Sequence, residues 1–329
     1  MRCGEPAPAE SGGSPSNPII LNINMCLFLP DNLPAIVALS EEGFDVSGRS
    51  DGELPTERLR IALLNLMPNK METELQFSRV LAKTGFAVEL ILLKPASYVC
   101  KTACPGHLDA FYKTWDDVQH EPLNGLIITG APVETLPFSE VRYWEELTSI
   151  LDSSRDRNLE CLFICWAAQA ALHHFHQVPK HELQEKAFGV FQQQVLQFGS
   201  SYLHGMGAQF PCPVSRHTEI RWGDLMGHPD LQVLAGSQEA GLCLVEERKF
   251  GALYMFNHLE YDAETLASEY RRDLERDGSC PLPANCFRYD DPDLGPEHSW
   301  ASSADAFFTN WLRVGARRRM AESFVGSAA

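Results

Sequence analysis

Hydrophobic positions recur along this chain in short solid runs separated by amphipathic stretches. Leu59-Arg-Ile-Ala-Leu-Leu-Asn-Leu66, Phe86 to Leu93, Asn124-Gly-Leu-Ile-Ile-Thr-Gly130 and Glu160 to Ile164 are apolar almost without interruption. That is the pattern of strands buried on both faces of a parallel sheet. Between them, Met71 to Thr84 carries Leu75, Phe77 and Leu81 at helical spacing, and Val141 to Leu151 and Ala167 to Phe175 also read as helices. Strands alternating with helices predict an α/β domain with a doubly wound, mostly parallel sheet. Residues 185–250 turn strand-like with several Gly and Pro, as in Phe188-Gly-Val-Phe-Gln-Gln-Gln-Val-Leu196 and Leu242-Cys-Leu-Val-Glu246. An apolar strand then leads to Asn257-His-Leu-Glu260. Thr265 to Leu274 reads as a helix, Pro281 to Pro296 as a proline-rich loop, and Phe307-Phe-Thr-Asn-Trp-Leu312 as an apolar close.

The same pattern sets the boundaries. Residues 1–17 are Pro, Gly, Ser, Ala and Glu with little else, too poor in apolar surface to offset the entropy of ordering, and are expected to form a disordered tail. Residues 18–315 form one domain. Its N-terminal decoration holds the apolar pieces Ile19-Ile-Leu-Asn-Ile23 and Leu33-Pro-Ala-Ile-Val-Ala-Leu39. The basic Arg317-Arg-Arg319 falls in a C-terminal tail, 316–329.

Composition narrows the function. A chain of 329 residues that is 44% apolar can bury a large core. Its formal charge of −17 argues against nucleic acid or an anionic membrane surface as partner, since both are held chiefly by clustered Lys and Arg. No run approaches the ~20 apolar residues of a membrane span. The ten cysteines include no Cys-x-x-Cys pair and follow no apolar leader, which predicts reduced thiols in the cytoplasm. Cys100 with Cys104, Cys161 with Cys165, and His173 with His176 lack further ligands at useful spacing, so neither a metal nor a bound cofactor is expected.

The chemistry centres on Cys165, which follows the strand Glu160 to Ile164 and precedes an alanine-rich helix without an intervening Gly or Pro. A side chain at such a turn stands at the carboxyl edge of the sheet, beside unpaired helix N–H groups and the positive end of the helix dipole. A thiol there ionises more easily, although apolar neighbours also suit an inert core cysteine. His258 and Glu260 follow another strand directly, and Gly130 ends a third, so all can meet on one edge of the sheet. The division of labour is evident: the thiolate attacks, the imidazole moves protons, and the carboxylate fixes the imidazole. Backbone N–H groups of Ala131 and Trp166 are the candidate oxyanion donors.

In order along the chain, Leu64-Asn-Leu-Met-Pro-Asn-Lys-Met-Glu-Thr-Glu74, Thr129-Gly-Ala-Pro132, Cys165-Trp-Ala-Ala-Gln-Ala170, His258-Leu-Glu-Tyr-Asp262 and Phe308-Thr-Asn-Trp-Leu312 resemble the homoserine O-acyltransferases of bacterial methionine synthesis. Those enzymes are relatives of the class I glutamine amidotransferases, with a flavodoxin-like sheet. The resemblance covers about Leu33 to Leu312. It implies that Cys165 carries an acyl thioester, that His258 is the general base and Glu260 its support, and that Lys186, Ser215 and Arg272 bind substrate. It also implies a homodimer that takes acyl-coenzyme A and L-homoserine. Taken singly, Lys186 and Arg272 read as surface charges, Ser215 as a loop residue and His258 equally as a core or a functional histidine. The family usually reads Gly-His-Pro-Glu before Tyr-Asp, and here Asn257 and Leu259 replace its Gly and Pro, which changes the expected loop geometry.

In that family a Gly at the position of Glu134 goes with succinyl transfer and a Glu with acetyl transfer. The physics agrees: a succinyl carboxylate about 4 Å from Glu134 at an effective dielectric near 20 would be repelled by ~4 kcal/mol. The expected function is thus acetyl transfer from acetyl-coenzyme A to homoserine through a Cys165 thioester. Succinyl as the group transferred and serine as the acceptor stay open, since one methylene changes binding by only about 1–3 kcal/mol. An amidotransferase-like hydrolase and a non-catalytic binding protein are the readings from other classes.

Overall fold

The computed structural model describes residues 26–98 and 105–326, with side chains to residue 319. The tail at 1–17, the apolar run 19–23 and the pair Cys100 and Cys104 lie outside the described residues.

The first regular unit comes from the solid runs. Strands β3 (Leu59–Leu64), β4 (Val88–Leu93), β5 (Gly125–Ile128) and β6 (Glu160–Ile164) pair in parallel, with helices α2 (Lys70–Ala82), α5 (Trp144–Asp156) and α6 (Trp166–His176) near their expected places. Ile61 and Leu63 pack into one core layer while Ala62 and Leu64 pack into the other, and Leu162 and Phe163 divide the same way. This two-residue alternation, with both sides buried, is why these strands carry no polar face.

The N-terminal decoration extends this sheet. Strands β1 (Leu27–Leu29) and β2 (Val46–Gly48), joined through α1 (Pro34–Glu41), add in parallel beside β4. Two short helices, α3 (Pro105–Phe111) and α4 (Trp115–Val118), lie where the sequence pattern predicts none. Their few turns give no amphipathic period to read.

The far side of the sheet is antiparallel. Strands β7 (His181–Val195), β8 (Gln209–Glu219), β9 (Leu231–Ser237) and β10 (Gly241–Glu247) come next, and β11 (Ala252–Met255) returns to pair in parallel with β6. The order across the eleven strands is β2-β1-β4-β3-β5-β6-β11-β10-β9-β7-β8. From β11 outward the pairings are antiparallel. The chain order reverses between β3 and β5, the place where open α/β sheets leave a crevice. Thr129 stitches that crevice: its Oγ1 accepts the Leu66 N–H at 2.8 Å and donates to the Gly130 carbonyl at 3.0 Å.

Helices α7 (Glu264–Asp277) and α8 (Ala301–Gly326) close the fold. Helix α8 runs through residue 316, where the sequence reading begins a C-terminal tail, so Arg317-Arg-Arg319 lies on that helix. The segment Ala316-Arg-Arg-Arg319 is rich in good helix formers and contains no proline. Gly315 lets it lie close to Glu160, whose side-chain carbons stand 3.2 Å from where a Cβ would be, and Arg318 pairs with the Glu160 carboxylate at 3.2 Å. Burial pushes Glu160 up to about 7, against the pull of Arg318 and of the Tyr202 hydroxyl. No helix among the described residues is long and apolar enough to cross a membrane.

Trp300, Phe307, Phe308 and Trp311 sink into the same core layer as α2 and the sheet, and Trp311 is fully buried. Trp311→Ala is expected to cost about 3–5 kcal/mol of stability, the range for deleting a large buried aromatic. Urea unfolding measures this, and a loss below about 1 kcal/mol would mean that α8 does not close the core.

Candidate active site

Cys165 lies between β6 and α6 with φ +52° and ψ −116°. A non-glycine residue there is strained by about 1–3 kcal/mol. The distortion turns the chain from strand to helix within one residue, and the Cys165 N–H donates to the Met255 carbonyl at 2.7 Å. Trp166 opens the helix, whose first N–H groups have no acceptor within it. Gly130 ends the neighbouring strand so closely that a Cβ there would lie 3.2 Å from the Cys165 Cβ. Both oxyanion candidates, Ala131 and Trp166, therefore sit on turns that flank the sulfur.

His258 and Glu260 follow β11. The His258 Nδ1 and Glu260 Oε1 stand 2.6 Å apart with both residues buried, and the other carboxylate oxygen, Oε2, has no hydrogen-bond partner. Tyr261 stacks on the imidazole, ring centres 4.2 Å apart and planes 14° from parallel. Burial works to lower the His258 pKa, but the Glu260 charge and the sulfur of Cys165 overrule it and push it up to about 10.

The replacement of the family's Gly by Asn257 is accommodated without strain, since Asn257 is not among the residues with positive φ. Its Oδ1 accepts from Arg216 Nη1 at 2.7 Å, and the His258 N–H donates to the Pro213 carbonyl at 2.9 Å. Strand β8 thereby holds the histidine turn. Leu259 is buried, as an apolar stand-in for proline can be.

The three expected substrate-binding residues converge on the same cleft of about 420 Å³, which Cys165, His258 and Glu134 also line. Two carboxylates that the sequence reading missed join them there. Glu269 Oε1 accepts from Lys186 Nζ at 2.7 Å and from Ser215 Oγ at 2.8 Å. Asp273 receives Arg272 at 2.8 Å and Lys186 at 3.3 Å. Burial would raise the Asp273 pKa, yet Arg272 and Lys186 hold it below the usual carboxylate range. Glu269, Arg272, Asp273 and Arg276 fall at three- and four-residue spacing on α7, so a cleft-facing Arg272 brings the others with it. That spacing was the available signal.

Glu134 is tied to β8. Its Oε2 accepts from the N–H groups of His217 at 2.9 Å and Thr218 at 3.2 Å, and from the Thr218 hydroxyl at 3.1 Å. His173 stacks on Phe138, and His176 lies 3.2 Å from Glu247, so the two side chains turn to different neighbours. Among the described residues no group of three or more His, Cys, Asp or Glu side chains is arranged to hold a metal ion.

A homoserine O-acetyltransferase of Allorhizobium ampelinum is 46% identical over 289 residues, 88% of this chain and 94% of that protein. A homoserine O-succinyltransferase of Pelagibacterium halotolerans is 42% identical over the same shares of both chains. Among solved structures, a putative GMP synthase subunit from Thermoplasma acidophilum superposes with a TM-score of 0.51 at 15% identity, covering 81% of this chain and 98% of that one. A glutamine amidotransferase from Thermotoga maritima gives 0.50 at 10% identity, covering 81% and 99%. These two show a shared fold. The homoserine O-succinyltransferase family model matches residues 26–319, and with relatives this similar across most of its length the chain belongs to that family, as an acyltransferase built on the class I glutamine amidotransferase fold.

Proposed function

We propose that the protein is a homoserine O-acetyltransferase that moves the acetyl group of acetyl-coenzyme A to the hydroxyl of L-homoserine through a thioester on Cys165, a step of methionine biosynthesis. The observation that carries this reading is the Cys165 turn facing a buried His258–Glu260 pair, in a cleft that also gathers Lys186, Ser215 and Arg272. By the family resemblance it works as a cytoplasmic homodimer. The seven cysteines described are free thiols, which suits a reducing compartment.

In the first half-reaction the Cys165 thiolate attacks the acetyl carbonyl, a carbon–sulfur bond forms, and the coenzyme A sulfur leaves with the His258 proton. The N–H groups of Ala131 and Trp166 serve the oxyanion. In the second, the homoserine hydroxyl attacks the thioester, gives its proton to His258 and releases Cys165 as thiolate. One histidine can act as acid and then base because the proton it gives to the leaving coenzyme A sulfur in the first step leaves its nitrogen open to take the homoserine proton in the second. Arg272 and Lys186 receive the homoserine carboxylate, exchanging for it part of their contact with Asp273 and Glu269.

The donor is assigned as acetyl-coenzyme A because Glu134 borders the cleft with its carboxylate in place, where a second carboxylate would be repelled. Initial rates with acetyl- and succinyl-coenzyme A, each crossed with homoserine and serine, test donor and acceptor together. Preference for succinyl-coenzyme A or for serine would overturn the corresponding assignment.

Mixing the enzyme with acetyl-coenzyme A and no acceptor is expected to give an acetyl adduct by intact-protein mass spectrometry, absent in Cys165→Ala, with parallel lines in two-substrate kinetics. Intersecting lines without an adduct would exclude the ping-pong route. Glu260→Gln is expected to lower turnover at least tenfold, ~1.4 kcal/mol of barrier, and a smaller effect would remove Glu260 from the assignment. For His258, whose folded pKa is raised, the protonated form persists as pH rises until about 10. Cys165→Ala should lower that midpoint, read by NMR of labelled histidine, and an unchanged midpoint would show that the sulfur and the imidazole are not coupled.

A further inference from the structure

A second cavity, also of about 420 Å³, adjoins the Cys165 cleft at the carboxyl edge of the sheet. Three loops wall it: Leu66 and Pro68 follow β3, Lys94 and Tyr98 follow β4, and Pro132 and Val133 follow β5. The strand order reverses between β3 and β5, so this is the crevice that an open α/β sheet offers to a ligand. Pro68 and Pro132 line both spaces, whereas Lys186, Ser215 and Arg272 line only the cleft of the sulfur.

The walls join two kinds of surface. Tyr98 and Tyr143, ring centres 5.5 Å apart, make an aromatic face. Lys70, Lys94 and Arg142 stand against a single acid, Glu140, among the described lining residues. That is a cationic wall in a chain with 27 basic and 44 acidic residues. Arg142 is exposed and has no ion-pair partner among the described residues. Lys94 pairs at 3.2 Å with an Asp109 that is open to solvent, a weak tie that a stronger anion displaces. Another cavity on this edge, between α2 and α7, sets Lys70 and Arg272 against Glu72 and Glu269 and so has no such excess. A polyanion that ends in a flat aromatic ring meets both demands of the cationic cavity: the ring stacks on tyrosine and the phosphates meet Lys and Arg.

We infer that this cavity binds the nucleotide end of coenzyme A, with the adenine beside Tyr98 and Tyr143 and the phosphates at Lys94 and Arg142, so that the pantetheine arm passes Pro68 and Pro132 to bring its thioester to Cys165. The inference rests on the acyl-coenzyme A reading above and gives the donor a seat apart from the one that holds homoserine. Donor and acceptor are then recognised by different cations, Lys94 and Arg142 for the first and Lys186 and Arg272 for the second.

Calorimetry of coenzyme A and of pantetheine, which lacks the nucleotide, tests this on the full-length enzyme and on Lys94→Ala, Arg142→Ala and the double variant. Both side chains reach solvent, so neither truncation opens the core. Wild type is expected to bind coenzyme A at least about tenfold more tightly than pantetheine, and the double variant to lose at least about tenfold of that preference. The ratio of Cys165 acetylation rates with acetyl-coenzyme A and acetyl-pantetheine, followed by mass spectrometry below saturation, is expected to fall in step. Arg317→Ala removes the same charge from α8, near the opposite edge of the sheet, and is expected to keep both preferences.

Equal wild-type affinity for coenzyme A and pantetheine, or an undiminished preference in the double variant, would overturn the seat. A loss in Arg317→Ala equal to that in Arg142→Ala would overturn it in favour of net charge. The binding measurement needs no thioester. A wild type that holds coenzyme A through these cations, yet is acylated at Cys165 by no donor, would sink the thioester reading and support the cavity.

Discussion

The hydrogen bond from the Cys165 amide to the Met255 carbonyl ties together the two strand ends on which the chemistry rests. Parallel pairing sets Ile164 opposite Met255 and Phe163 opposite Ile128, so Gly130, Cys165 and His258 emerge from adjacent strands at matching heights. The amide bond also holds Cys165 in a backbone conformation that the free chain would leave. Register carries the rest: a one-residue slip of β11 would turn its side chains to the opposite faces and break the match with Cys165.

The sequence revealed those parts of the site that sit at strand ends. A strand buried on both faces is legible as a solid apolar run, and the residues just past its end must lie at the sheet edge, so the pattern alone places Cys165 and His258. Glu269 and Asp273 could not be found that way. On a helix as polar as α7, carboxylates look like a solvated face, and only their spacing from Arg272 connects them to the cleft. Strands β1 and β2 are three residues each, too short for a period to show. Asn257 shows the limit from another side: the expected conformational problem is absent because its φ is not positive, and its side-chain oxygen accepts from Arg216 on another strand.

The charges that line the cleft are internally balanced, with Lys186, Arg272 and Arg276 against Glu134, Glu269 and Asp273. Lys186 and Arg272 face Glu269 and Asp273, and the exposed half of Arg272 meets solvent while Lys186 packs over the Phe188 ring at 3.9 Å. A zwitterionic amino acid can enter such a site by exchanging partners, with little net charge moved out of water.

The place of β11 in the sheet governs how the protein reaches its native state. Its parallel partner β6 ends at Ile164, and β11 begins at Ala252, so the long antiparallel excursion through β7, β8, β9 and β10 must loop out before the two can pair. Non-local strand pairing of this kind is reached late and slowly. Cys165 and His258 are therefore brought together only when β11 pairs beside β6. Until then a partly folded chain carries an unpaired β6 edge and keeps Cys165 apart from His258, so gain of activity during refolding should coincide with closure of the sheet rather than with formation of the first βα units.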